Sequence, residues 1–265
     1  MALAAPSFPM APAGVNLRCL HLVARNYLVW RKLMLASLVA NLADPLIYLV
    51  GLGFGLGALV GTIDGRPYVH FLAGGMLCYS TLNSASAEAL YSAFSRLKVQ
   101  RTWEGILHAP MTIADVVVGE WLWAGIKATL SGTAILIVMY ALGIVHGLRP
   151  IAVVPALLLV GLSFSAIALV VTTLARSYDL FTYYFTLLVT PMGFVSGVFY
   201  PLHQLPPLAQ HVAWALPLAH AASLARGITL GDPMPWPWLS VLVLVLYGAV
   251  GLALAARIAR RRLMK

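Results

Sequence analysis

The stretch Ile151-Ala-Val-Val-Pro-Ala-Leu-Leu-Leu-Val-Gly-Leu-Ser-Phe-Ser-Ala-Ile-Ala-Leu-Val-Val-Thr-Thr-Leu174 contains no Asp, Glu, Lys or Arg. Wound as an α-helix at 1.5 Å per residue, it is long enough to cross a hydrocarbon layer about 30 Å thick. It offers water no polar face, so it reads as a membrane-spanning helix. Similar apolar runs lie at 33–59, 70–94, 112–145, 180–200 and 236–257. The chain as a whole is 61% hydrophobic and 9% charged, a balance that a soluble core cannot hide. Backbone groups at membrane depth need internal hydrogen bonds, and the alternating pattern of barrel strands is absent. The expectation is one all-α membrane domain of six transmembrane helices over 33–257.

The net charge of +9 is placed as a topology signal and not as a nucleic-acid patch. Thirteen Lys and Arg fall on one side of the six runs: Arg18, Arg25, Arg31, Lys32, Arg96, Lys98, Arg101, Arg176 and five in the C-terminal stretch from Arg257. Three, Arg66, Arg149 and Arg226, fall on the other, and Lys127 lies within a run. That asymmetry predicts both termini in the cytoplasm, with 258–265 as a basic cytoplasmic tail. Residues 1–14 carry three prolines and no cation, which predicts a disordered tail and not a secretory signal.

Between 15 and 32, Arg18, His21, Arg25 and Lys32 share one helical face, opposite Leu17, Leu20 and Leu28. This predicts an amphipathic helix lying along the membrane surface. The glycines at 51, 53, 55, 57 and 61 follow no strand, so they predict close helix packing and not a dinucleotide loop. Seven prolines between 201 and 237 exclude a spanning helix there. The apolar pieces 208–216 and 218–228 are expected to form short helices that dip into or lie on the outer leaflet.

No phosphate loop, metal-ligand spacing or paired-aspartate signature is present, so no catalysis is expected of this chain and no cofactor is expected to bind it. The two cysteines, Cys19 and Cys78, read as packing residues. The intramembrane ions need individual accounts. At about 1.5 Å per residue, Asp44 and Lys127 each lie roughly 20 Å deep, and an ion pair between them is expected. A grip on a polar head group, or unrelated placement, are the alternatives. Glu88 and Glu120 fall nearer the cytoplasmic ends of their helices and are read as lining a wet cavity, with Tyr183 and Tyr184 as further lining.

The most informative interval is Arg96-Leu-Lys-Val-Gln-Arg-Thr-Trp-Glu-Gly-Ile-Leu-His-Ala-Pro-Met-Thr-Ile-Ala-Asp115. It mixes charge, an aromatic and a short helical pattern that a proline ends, as a partner-binding segment does. It resembles the inner loop of the ABC-2 permease family, and Trp103 and Glu104 agree with that loop's pattern. Further likeness lies in Asn41-Leu-Ala-Asp44-Pro45, the glycine series, Ser177-Tyr-Asp179, Gln204-Leu-Pro206 and Leu216-Pro-Leu-Ala-His220. Together they cover nearly the whole chain and are similar to the NodJ-type branch, which exports nodulation factors.

That resemblance implies the membrane permease of an exporter in the bacterial inner membrane, moving a lipo-oligosaccharide. It also implies a dimer of permeases with two NodI-like ATP-binding subunits, which hold ATP and Mg. The coupling contact to them is expected at Arg101, Thr102, Trp103, Glu104, Ile106, Leu107 and His108, with the Trp103 ring as anchor in the partner's cleft. Alternatives are a drug or other lipid efflux permease of the same superfamily and, from another class, a proton-coupled transporter using Glu88 or Glu120.

Overall fold

The computed structural model describes residues 17–263 other than Asp64 and Pro235; for Leu38, Asn41, Leu42 and Asp44 it describes the backbone alone. The proposed tail at 1–14 and the side chain of Asp44 therefore lie outside the described residues.

The chain is almost entirely helical. Helix α1 (Cys19–Trp30) leads through a tight turn at Arg31–Leu33 into α2 (Met34–Val50), then a wide turn at Gly51–Leu56 and α3 (Gly57–Val60). A two-residue hairpin, β1 (Thr62–Ile63) with β2 (Arg66–Pro67), pairs Thr62 with Pro67 and Ile63 with Arg66. Helix α4 (Tyr68–Ala87) continues through two further wide turns, Glu88–Ser92 and Ser95–Val99, before α5 (Thr102–Leu107). Then come α6 (Ile113–Ala141), α7 (Val153–Leu174), α8 (Asp179–Tyr183), a wide turn at Tyr184–Val189, α9 (Thr190–Val195), α10 (Pro207–Ala215), α11 (Pro217–Thr229) and α12 (Pro237–Leu263).

Among the described residues, three helical stretches, Ile113–Ala141, Arg149–Leu174 and Pro237–Leu263, are long and apolar enough to cross a membrane. The other three expected runs are also helical but depart from that pattern for local reasons. Helix α4 carries Ser80, Thr81, Asn83, Ser84 and Ser86, which lower its hydropathy. The path from α8 to α9 is split by its wide turn and by Pro191. Pro45 stands inside α2.

Helices α4, α6, α7 and α12 form the centre, around fully buried Leu72, Leu77, Ile135, Leu157, Phe164 and Leu244. Small residues set the spacing, as expected where lipid supplies no hydrophobic drive between helices. A Cβ on Gly161 would meet Gly125 O at 2.8 Å, so α6 and α7 touch backbone to backbone. Ser163 Oγ, on α7, donates to Leu244 O of α12 at 2.7 Å. In the 51–61 series, Gly53 meets Val69 and Gly57 meets Tyr68, whereas Gly51, Gly55 and Gly61 have open space. Close packing therefore uses only the two glycines four residues apart.

Helix α1 buries Cys19, Leu22, Asn26 and Trp30. It lies on α6, where Gly119 leaves room for Leu22 and the Cys19 carbonyl. Helix α6 begins with a capping box: the Thr112 hydroxyl accepts from Asp115 N–H, and the Asp115 carboxylate accepts from Thr112 N–H. Large apolar side chains stay exposed along α2, α9 and α12, among them Leu35, Val39, Ile47, Phe194, Leu242 and Leu246. So much outward apolar surface suits lipid or a partner chain and not water.

Candidate functional site

Two facing helices carry rows of polar side chains: Ser84, Glu88, Ser92 and Arg96 at four-residue spacing along α4 and its continuation, and Glu120, Trp123, Lys127 and Ser131 at spacings of three, four and four along α6. In a regular α-helix a step of four residues drifts by about 40°, so such a row would wind off its neighbour. The wide turns at Glu88–Ser92 and Ser95–Val99 add room per turn and keep the row facing α6.

The rows meet in a largely buried cluster of two carboxylates and two cations. Arg96 Nη2 lies 2.9 Å from Glu88 Oε1 and 2.6 Å from Glu120 Oε2, and Arg96 Nε donates to Glu120 Oε1 at 2.9 Å. Lys127 Nζ donates to Glu88 Oε2 at 2.7 Å. Neutral donors fill the remaining positions: Trp123 Nε1 to Glu88 Oε1 at 3.0 Å, Ser92 Oγ to Glu88 Oε2 at 3.0 Å, and Asn26 Nδ2 of α1 to Glu120 Oε2 at 3.3 Å. The formal charges cancel and each carboxylate has several donors. Both conditions are needed for buried ions to persist. One turn further along, Ser131 Oγ donates to Ser84 Oγ at 2.9 Å, carrying the polar row onward.

The loop helix hangs on this cluster. Trp103 is wholly buried and its Nε1 donates to Glu120 Oε1 at 3.3 Å. The expectation that this ring anchors in a partner's cleft is thus corrected: the indole faces inward, because Glu120 supplies an acceptor and Leu97 and Val116 belong to the same buried core. Arg101, Glu104 and His108 are exposed, and Thr102, Ile106 and Leu107 are partly covered. Arg101 takes a left-handed backbone, φ 49°, which makes the corner between the long helix and α5. Arg18 Nη1 donates to the Pro110 carbonyl, tying the start of α1 to the end of the loop.

Of the ions singled out in the sequence, Glu88, Glu120 and Lys127 come together, and Lys127 pairs with Glu88. Tyr184 is buried, its hydroxyl 3.0 Å from Ser86 Oγ, whereas Tyr183 is exposed. Sequence reasoning misses four members of the site: Arg96, Asn26, Ser92 and Trp123. Arg96 was counted only as a surface cation, although its spacing of eight from Glu88 marks it once the wide turn is known. Asn26 gave no signal beyond its place among apolar residues.

Arg226, assigned to the outer side by charge counting alone, is buried in α11. Its Nη2 donates to Gly197 O at 2.6 Å and Val198 O at 3.2 Å, its Nε donates to Phe71 O at 3.1 Å, and the guanidinium carbon stands 3.7 Å from the Phe71 ring centroid. Gly74 and Gly75 leave the space it fills. It joins the short helix α11, the start of α4 and the turn after α9.

Residues 18–230 match the family described as ABC-2 type transporter. The chain is 47% identical over 240 residues to Nodulation protein J of Rhizobium meliloti, covering 91% of this chain and 92% of the relative. It is 47% identical over 254 residues to Nodulation protein J of Rhizobium leguminosarum bv. viciae, covering 96% and 98%. More distantly, it is 27% identical over 204 residues to Inner membrane transport permease YadH of Escherichia coli, covering 76% and 78%.

Proposed function

The chain belongs to the ABC-2 type transporter family, and from that membership we propose that it is the inner-membrane permease subunit of an ATP-driven exporter of a lipo-oligosaccharide of the nodulation-factor class. The substrate class follows the relatives that carry the name Nodulation protein J. ATP and Mg belong, on this reading, to a NodI-like partner subunit. Two permeases and two such subunits form the working complex. Six crossings with both termini cytoplasmic match the thirteen-to-three distribution of cations, and α10 and α11 then sit at the outer leaflet without spanning it.

The observation that carries the mechanism is the hydrogen bond from Trp103 to Glu120. A short helix presenting Arg101, Glu104 and His108 outward is fastened inward to a carboxylate on α6. Arg96 links that carboxylate to Glu88 and Lys127. Closure of the ATP-binding subunits pushes α5. Because the contacts behind it are directional and end on charged groups, the push moves α4 and α6 together and is not absorbed in side-chain rotation. The packing between permeases then changes and a path for the amphipathic substrate opens.

The test is co-purification with a neighbouring ATP-binding subunit, followed by ATP hydrolysis with and without added lipo-oligosaccharide. Stimulation by the acylated oligosaccharide but not by unrelated drugs supports the reading; stimulation by drugs alone assigns the chain to drug efflux. Glu104→Ala with His108→Ala is expected to weaken retention of the ATPase subunit while leaving the permease folded.

A further inference from the structure

Arg25, Arg31 and Lys32 surround one open cavity of about 430 Å³, whose wall is completed by Leu28 and Val29. The fold dictates this grouping. Helix α1 commits Cys19, Leu22, Asn26 and Trp30 to α6, so positions 25, 28 and 29 are left facing away. The tight turn at Arg31–Leu33 then brings two more cations to the same hollow. No carboxylate lines it, and among the described residues none of the three cations is in an ion pair. Arg25 has only a long contact, Nη1 to Asn26 Oδ1 at 3.4 Å.

Three uncompensated cations around one cavity repel each other unless an anion sits among them. Leu28 and Val29 are 48% and 61% exposed beside those charges, so the occupant must also tolerate an apolar floor. A phosphate attached to hydrocarbon meets both demands, and long basic side chains suit the level of lipid head groups. We infer that this cavity binds the phosphate of an anionic phospholipid in the leaflet on which α1 lies. The site does not depend on what the permease exports. It does touch the charge cluster, because Arg25 contacts Asn26 and Asn26 donates to Glu120. A lipid seated here holds α1 against α6 at the residue that Trp103 also grips.

The test is native mass spectrometry of the detergent-purified chain titrated with phosphatidylglycerol or phosphatidylcholine. The expected result is preferential retention of phosphatidylglycerol, weakened by added salt. In Arg25→Gln/Arg31→Gln/Lys32→Gln the preference should fall by roughly fivefold for each cation removed. Lys32→Gln alone removes one exposed cation and should lower the preference roughly fivefold; it answers the question even where the triple variant does not fold. Equal retention of the two lipids, or an unchanged preference in a folded Gln variant, overturns the site. Displacement of phosphatidylglycerol by inorganic phosphate at matched concentration assigns the cavity to a free anion and overturns the lipid.

Discussion

The indole N–H of Trp103 points at Glu120 Oε1 across 3.3 Å, so the helix on the chain's polar loop is held from inside by a neighbouring helix. Trp103→Phe keeps most of the packing and loses only that bond, for a cost of about 1 kcal/mol. Trp103→Ala also leaves a cavity and is expected to cost roughly 3 to 5 kcal/mol. Thermal unfolding in detergent separates the two. If the ring contributed nothing inside the chain, both variants would melt with the wild type.

Within the charge cluster, Lys127→Met leaves Glu88 with Arg96 alone, and Glu88→Gln leaves Lys127 without a counter-ion. Each is expected to lower stability by about 3 to 5 kcal/mol. The double variant removes one charge of each sign and should lose clearly less than the two single losses added together. Folded yield measured across that cycle is the check; additive losses would show that the 2.7 Å contact carries no coupling. Combining Lys127→Met with Asp44→Asn, which tests the alternative partner, should give additive losses.

Arg226 and Arg66 make a contrast on the outer side. Arg226→Lys replaces a planar fork that reaches three carbonyls with a single ammonium, and a loss of about 2 kcal/mol is expected. Asp232→Asn breaks a pair with Arg66 whose side chains are 43% and 34% exposed, and should change stability by less than about 1 kcal/mol. Melting temperatures of the two variants, compared at low and high salt, test the ranking.

Gly161→Ala places a methyl group 2.8 Å from Gly125 O and forces α6 and α7 apart, at an expected cost of about 1 to 3 kcal/mol. Gly51→Ala meets nothing within 4 Å and should be neutral or slightly stabilising. Equal effects of the two substitutions on thermal unfolding would count against backbone contact as the reason for the glycine at 161.

Helices were legible in the sequence wherever period and length agreed. The apolar runs mark α6, α7 and α12. The proline-bounded pieces 208–216 and 218–228 fall on α10 (Pro207–Ala215) and α11 (Pro217–Thr229) within a residue. Distance along a helix was also readable, since it depends only on rise per residue. Angle around the helix was not. Residue count alone puts Lys127 level with Asp44, yet which acid faces Lys127 depends on the phase of a different helix, and the end of α4 brings Glu88 to it. Trp103 was ambiguous for a related reason. An aromatic in a polar loop is suited equally to a partner and to its own core, and only the acceptor on Glu120 decides.

The two wide turns also set which changes of chain length the protein can accept. Glu88 and Arg96 are eight residues apart yet face the same partners, because the turn between them houses more than an α-turn does. Seven residues of regular helix return to nearly the same direction, within about 20°. Deleting one residue between them, such as Ala93, therefore lets the turn close to ordinary pitch with both charges still aligned, at the cost of drawing α5 in by about 1.5 Å. Inserting one there swings Arg96 by about 100° and separates it from both carboxylates. Homologous chains of different length should accordingly shorten this helix between its two charges and lengthen it only outside them.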